Sequence, residues 1–559
     1  MVNSGTNIHS GAYTITLMLL AASIPLSKFT MSITEFMLLG LWLWSGFSFS
    51  VSYRFFKLGG FFTGSIHLMG YIISLAYNNL IDKFVLFFKN KPAMVFSLIY
   101  IVHIVGLLYT SDFGYAVKDL RVKLPLILLP VIIVTMEKIN SKKLTSLLIV
   151  YSLAVLVSTL ISAFIYLTNQ YVDIRAISPL ISPIRLSLNV SFAFFIMIYF
   201  IFHETKFRVW QTISFASMAL WFLTFLFLIE SVTSIVIVII VGVGYLLMLL
   251  FNTIHIWQRS TLMLLVIILP LFFFWHVSNI IIDATTAPEI EFSELDKYTA
   301  QGNPYHHDST YSEIEDGKYV GLYVCYKELK SEWNKRSSIK FDGSTPESKG
   351  IKTTLIRYLT SKDLRKDAEG VKALNDEDIL MIEQGLANYN YVHSPGLRTR
   401  ILKMIKGYEV FQITGNPSGS SMMQRIEYIK AAINIIKQDF LYGVGTGDLE
   451  VAFNEQFNDM NSALESRYRY HAHNQFLGIF VVLGLFGFIV FVVGIFYPAI
   501  VLSGFKDYYF GIFFLIMFIS MFSDDTLETQ AGVTLFSFFY SLLLFGRKKD
   551  DNMPAKVFR

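Results

Sequence analysis

The chain has a single cysteine, Cys325, among 559 residues, so it carries no intrachain disulfide framework and no cysteine cluster for zinc. Charged residues are also scarce, at 16% against roughly a quarter in soluble domains. The small net charge of +4 averages widely separated groups, and without a concentrated basic face a nucleic-acid partner is excluded. There is no convincing internal repeat, and charges cluster at the ends of the apolar runs, which argues against a secondary transporter. No acidic pair has divalent-metal spacing with further ligands beside it, so no metal is expected. The first apolar run lacks a basic leader and a small-residue cleavage site, and reads as a retained helix.

What the chain has in abundance is apolar surface, with 54% hydrophobic and 16% aromatic residues. Runs long enough to cross a bilayer recur near 11–30, 31–50, 92–110, 120–136, 143–167, 186–203, 210–229, 231–252, 260–281, 474–502, 508–523 and 530–546. Lipid satisfies no backbone polar group, so these runs must be helices. The expected fold is an all-α polytopic membrane protein of about twelve transmembrane helices. Residues 1–281 carry spans one to nine, 282–472 form a large, mainly helical loop, 473–546 carry the last three spans, and 547–559 are a tail. Residues 55–90 are apolar but interrupted by Gly59, Gly60, Gly64 and Lys83, as in a helix lying on the inner leaflet.

If both termini are cytoplasmic, the short outer loops hold only Lys28, Lys118, Arg121, Lys123, Arg175 and Arg185, and most other basic residues near spans fall inside. The long loop is then outside. Its first part, 282–345, is polar without helical period and reads as an irregular insertion. Helical patterns follow at Leu355 to Lys366, after the cap residue Asn375, and at Leu397 to Phe411. Met422, Ile426, Ile429, Ile433 and Ile436 then mark one amphipathic face, with Arg425 on its flank. The run Gly443-Val444-Gly445-Thr446-Gly447 has no strand before it and no basic residue within it, so these are turn glycines and not a phosphate cradle.

Three places carry chemistry. Tyr470-His471-Ala472-His473-Asn474-Gln475 puts two imidazoles at the water-facing mouth of a span, where a neutral imidazole can take a proton from a hydroxyl near neutral pH. Arg185, in Ser182-Pro183-Ile184-Arg185-Leu186, sits at another mouth, and Arg121 lies between Lys118 and Lys123. The planar guanidinium suits phosphate oxygens, although an arginine at such a mouth can also merely reach lipid headgroups. Asp524, Asp525 and Glu528 lie in the turn before the last span, where acids can orient an imidazole or simply be solvated.

Arg425 on a helix, Gly443-Val444-Gly445-Thr446-Gly447, His473-Asn474-Gln475-Phe476-Leu477 and Gly484-Leu485-Phe486-Gly487 occur in an order that resembles the O-antigen ligase superfamily. The loop spelling, including Arg357-Tyr358-Leu359-Thr360, is similar to its Bacteroidota branch. The resemblance implies a GT-C-like glycosyltransferase of the bacterial inner membrane, active on the periplasmic side, inverting and independent of metal or other cofactor. Its partners would be an undecaprenyl-diphosphate-linked glycan as donor, lipid A-core as acceptor and the surrounding lipid. His473 would be the base, with His471 beside it; Arg185, Arg425 and Arg121 would hold the diphosphate; Asn474, Asp524, Asp525 and Glu528 would support them. Superfamily members often carry an arginine at the start of the eighth span, where this chain reads Glu230-Ser231-Val232. A glycan polymerase or protein O-oligosaccharyltransferase would share the carrier and these residues, and a lipid-linked oligosaccharide transporter is the alternative from another class.

Overall fold

The computed structural model describes residues 2–45, 77–168, 177–204, 207–252, 255–308, 313–346, 349–393 and 396–548. The 55–76 part of the expected inner-leaflet helix and residues 549–559 of the expected tail lie outside them. The first helices are α1 Val2–Ser23, α2 Lys28–Trp44, α3 Lys91–Val105, α4 Phe113–Lys123 and α5 Pro125–Thr135. Then come α6 Ser141–Thr168, α7 Pro183–Phe202, α8 Val209–Leu228, α9 Val232–Asn252 and α10 Ile256–Thr285. The polar middle of the chain contains α11 Tyr326–Arg336, α12 Ile351–Ser361, α13 Asp376–Glu383, α14 Leu397–Thr414, α15 Ser421–Gln438 and α16 Leu449–Asp459. The last three are α17 Gln475–Val501, α18 Tyr508–Ser520 and α19 Gln530–Leu544. Among the described residues the only sheet is the hairpin Ile314–Glu315 with Lys318–Tyr319.

The chain is an all-α polytopic membrane protein. Among the described residues seven helices are long and apolar enough to cross a bilayer: α3 with its continuation to Tyr109, α6, α7, α8, α9, α10 and α17. α18 and α19 are shorter apolar helices at the centre of the bundle, and α19 is buried almost from end to end. Tyr540 of α19 stacks on Phe96 of α3 with ring centroids 4.4 Å apart. α10 lies at the periphery with most of its apolar side chains exposed, as a lipid-facing helix can. The run 120–136 is not one helix. It splits into α4 and α5 at Pro125, whose ring removes an N–H and crowds the preceding turn.

Two further expectations are corrected. Residues 282–345 are not irregular throughout: α11 and the hairpin lie there and contribute Val320, Leu329 and Trp333 to a compact core with Tyr358, Leu359 and Ile382. In α15 the residues turned inward are Met423, Tyr428, Ala431, Ala432 and Ile435, while Met422, Ile426, Ile429 and Ile433 are exposed. Two adjacent alanines let α15 approach its neighbours closely, so the small face is the packed one and the bulky apolar face is left outside. Asn375 does cap α13, accepting from the Asp378 amide at 2.7 Å while Asp378 accepts from the Asn375 amide at 2.8 Å.

The glycine-rich run is a backbone splice. α17 is interrupted at Gly484, whose φ of 61° and ψ of −165° break its hydrogen-bond ladder. Val444 and Gly445 amides donate to the Val481 and Val482 carbonyls at 2.9 Å each, and Leu485 donates to Phe440 at 2.9 Å. The loop thus supplies partners that the broken helix cannot supply itself. A Cβ on Gly443 would come within 2.5 Å of the Gly484 nitrogen, and one on Gly484 within 2.4 Å of Leu441 and Tyr442 backbone. Gly484→Ala is therefore expected to cost about 1–3 kcal/mol and lower the detergent-solubilised melting temperature. Gly478→Ala, with nothing within 4 Å on the same helix, should leave it unchanged or raise it slightly; equal melting of the two variants would contradict the splice.

Candidate functional site

The site begins with a capped helix end. Asn474 accepts from the Leu477 amide at 3.0 Å, which starts α17, and its own amide nitrogen donates to the Phe522 carbonyl at 2.9 Å. This fixes the segment before α17 against the turn between α18 and α19. Residues 471–473 lie outside any helix, so side chains two apart can share a side, as in an extended chain. Both imidazoles do so. His471 Nδ1 lies 3.2 Å and His473 Nδ1 3.6 Å from the same Asp525 carboxylate oxygen, and their ring centroids are 6.0 Å apart.

Asp525 is held from behind by Arg185. The guanidinium at the mouth of α7 donates through Nη1 to the Asp524 carboxylate, through Nη2 to the Asp525 carbonyl at 3.0 Å and through Nε to Thr529 at 3.0 Å. The Asp525 carboxylate is 3.7 Å from Nη2. Burial alone would push the Asp525 carboxyl up. The hydrogen bond with His473, the charge that His471 and His473 carry when protonated, and the charge of Arg185 outweigh it and hold the group down at about 2.

Glu528 faces the other way. Its carboxylate is 2.6 Å from Lys123 Nζ at the end of α4, and Lys123 also pairs with Asp119 one turn earlier. Gln475, in the first turn of α17, donates to Glu528 at 3.1 Å and accepts from the Leu527 amide at 2.6 Å. Burial works against the Glu528 charge, but Lys123 and Gln475 keep its carboxyl below the usual range. Lys123 and Glu528 are thus internal clamps of the turn. Arg121, two residues away on α4, is exposed and lies apart from both groups.

Arg425 is brought close by α15. One turn after it, Tyr428 meets His473 edge to face at 5.7 Å between centroids and donates to the Tyr468 carbonyl at 2.6 Å. Burial, then Tyr470, pushes the Tyr428 hydroxyl up to about 12, so it stays a neutral donor. Arg425 itself lines a cavity of about 230 Å³ bounded by Pro183 and Ile184 of α7, Glu230 and the start of α9, and Arg400 of α14. Reasoning from sequence misses Tyr428 and Arg400. Both lie on helices whose register is legible, but nothing local marks the side that faces α17 or α9.

His473, Asp524 and Asp525 also offer ligand atoms within 4.8 Å of one another. That spacing suits a divalent ion, yet Arg185 already pairs with both carboxylates and occupies part of the space a second cation would need. A buried carboxylate thus stands between a guanidinium and two imidazoles at the polar end of a bundle of apolar helices. Residues 384–492, which include Arg400, Arg425, His471 and His473, match the family model described as O-antigen ligase. No curated protein matches the chain.

Because the Asp525 carboxyl is held near 2 against about 3.9 in an unfolded chain, the folded state binds fewer protons than the unfolded one at low pH. Its contribution, at most about 2–3 kcal/mol, is present above pH ~4 and is lost as pH falls toward 2. Melting curves between pH 6 and 3 should show Asp525→Asn losing less stability than wild type over that window; parallel losses would contradict the assignment.

Proposed function

We propose that the protein is an O-antigen ligase, transferring a polysaccharide from undecaprenyl diphosphate to a sugar hydroxyl of lipid A-core. The observation that carries this reading is the contact of both imidazoles with Asp525, one α15 turn from Arg425 through Tyr428. With Nδ1–H turned toward Asp525, the Nε2 lone pair of a neutral His473 is left to act as base. The acceptor oxygen attacks the anomeric carbon and its proton passes to Nε2. The bond between the anomeric carbon and the diphosphate oxygen breaks, with both electrons leaving on the diphosphate. Attack opposite the leaving group inverts the anomeric centre.

Asp525 steadies the imidazolium that forms, and His471, nearer to the same oxygen and less exposed, keeps that carboxylate oriented. Arg425 meets the growing charge of the diphosphate. Arg185, whose Nε, Nη1 and Nη2 are all engaged within the turn, acts in this scheme by holding Asp524 and Asp525. Glu528 and Asn474 support the same turn, and Arg121, exposed on α4, reaches lipid phosphates. The basic residues favour cytoplasmic termini and a periplasmic site in the inner membrane. Arg425 supplies the positive charge that meets the diphosphate, and the reaction proceeds without a metal.

The test is the lipopolysaccharide gel of a deletion strain complemented with wild type or with His473→Ala, membrane levels being matched by immunoblot. Wild type should restore polymer-bearing lipid A, and His473→Ala should leave bare core with transfer reduced by at least ~10² while undecaprenyl-linked polymer accumulates. Collapse of chain length with ligation intact would make the protein a polymerase; unchanged lipopolysaccharide with loss of glycoproteins would make it a protein transferase. Purified enzyme treated with EDTA should keep its rate. A loss restored by Mg²⁺ or Mn²⁺ would contradict the metal-free scheme and point to the His473, Asp524 and Asp525 cluster.

A further inference from the structure

The cavity beside Arg425 has an electrostatic design that the two histidines do not explain. It encloses about 230 Å³ and its walls are the first turns of three helices: Pro183 and Ile184 of α7, Val232 and Thr233 of α9, Ser421 and Met422 of α15. Arg400, in the opening turns of α14, brings in a fourth. The first three helices direct the positive ends of their peptide dipoles toward the space, and two guanidinium groups and the Glu230 side chain line it as well.

The walls are braced against one another. Ser231 and Ser234 both donate to the Ser187 hydroxyl of α7, at 3.0 and 2.7 Å, which locks the start of α9 onto α7. Glu230, held at φ 54°, accepts from the Gly396 amide at 3.1 Å. Gly396 caps α14, so this bond sets the turn that carries Arg400. Arg400 in turn donates to Ser421 at 3.2 Å, at the first residue of α15. Glu230 therefore serves here as an anchor for an arginine, in a place where a basic residue is absent.

We propose that Arg400 is a phosphate-binding residue of this chain, forming with Arg425 a two-guanidinium seat for the diphosphate of an amphiphilic donor. The inference rests on the proposed glycosyl transfer for the identity of the donor, but the anion seat itself stands on the cavity. The ligand is a lipid diphosphate because apolar side chains stand beside the guanidinium groups: Met422, Met404 and Ile184 line the cavity, and the exposed Ile426, Ile429 and Ile433 continue the apolar surface along α15. A diphosphate seated there lies along α15 from Tyr428, the residue that touches His473. Arg400 is a substrate-binding group in this scheme, and Glu230 is its positioning residue.

Inorganic pyrophosphate is the direct probe, read as stabilisation of the full-length protein in detergent, with glycerol 1-phosphate as the mimic of a phospholipid headgroup. Wild type and His473→Ala should bind pyrophosphate equally, because the seat does not use the base. Arg400→Ala should weaken it by at least about 10-fold, the loss expected of one charged hydrogen-bonding group, and Arg400→Lys should recover part of it. Glu230→Gln, which retains a side-chain acceptor for the Gly396 amide, should bind nearly as wild type, whereas Glu230→Ala should weaken binding. In transfer assays Arg400→Ala should raise the donor KM more than it lowers kcat. Wild-type pyrophosphate affinity in Arg400→Ala and Arg400→Lys would overturn the proposal, as would equal stabilisation by glycerol 1-phosphate, which would make the cavity a headgroup site. If Arg400 proves inert while His473→Ala and Arg425→Ala abolish ligation, only the Arg400 assignment falls. If pyrophosphate binding depends on Arg400 but His473→Ala ligates normally, the seat stands and the catalytic scheme falls.

Discussion

Two buried cations hold the turn between α18 and α19, and the geometry of the site depends on that hold. Arg185 and Lys123 are both nearly inaccessible, and each pairs with two carboxylates, Arg185 with Asp524 and Asp525 and Lys123 with Asp119 and Glu528. Taking so many charges out of water is unfavourable unless each finds a partner, and removal of one partner from such a set typically costs about 3–5 kcal/mol. The turn therefore has few other places to go. Because it is fixed, the Asp525 carboxylate stands at a set height beside the mouth of α17, and the two imidazoles meet one oxygen instead of drifting in water.

The second constraint runs through the backbone. Gly484 breaks α17, and the loop after α15 fills the break with its own amides. That splice ties α15 to α17 directly. Arg425 and Tyr428 ride on one of these helices, and His473 immediately precedes the other. Arg425 and His473 are thus kept in step by main-chain hydrogen bonds. The glycines at 443 and 484 are required because two backbones meet where no Cβ fits.

Much of this architecture is legible in the amino-acid sequence alone. Length and unbroken hydrophobicity mark the long spans, and the Asn375 cap and the glycine-rich turn follow from chemistry that acts locally. The motif order around Arg425 and His473 leads to the superfamily. Pairing at a distance is not legible. Arg185 meets Asp524 across 339 residues and Lys123 meets Glu528 across 405. Each is visible as a charge at the end of an apolar run, but no period or spacing links them. The apolar stripe of α15 misleads for a related reason: in a membrane protein the greasy face need not be the packed one, and Ala431 and Ala432 are the better guide. Arg400 carries no local mark because the cavity it lines is built from the starts of α7, α9 and α15, two of them far from it in sequence.

The most direct measurement compares the transfer rates of His473→Ala, Asp525→Asn and the double variant in reconstituted membranes with a purified lipid-linked donor. If Asp525 acts through His473, the double variant should be no slower than His473→Ala alone, because the carboxylate has nothing left to orient. If the two losses multiply instead, Asp525 and His473 act independently, and a single histidine–carboxylate unit held by Arg185 is not what drives the reaction.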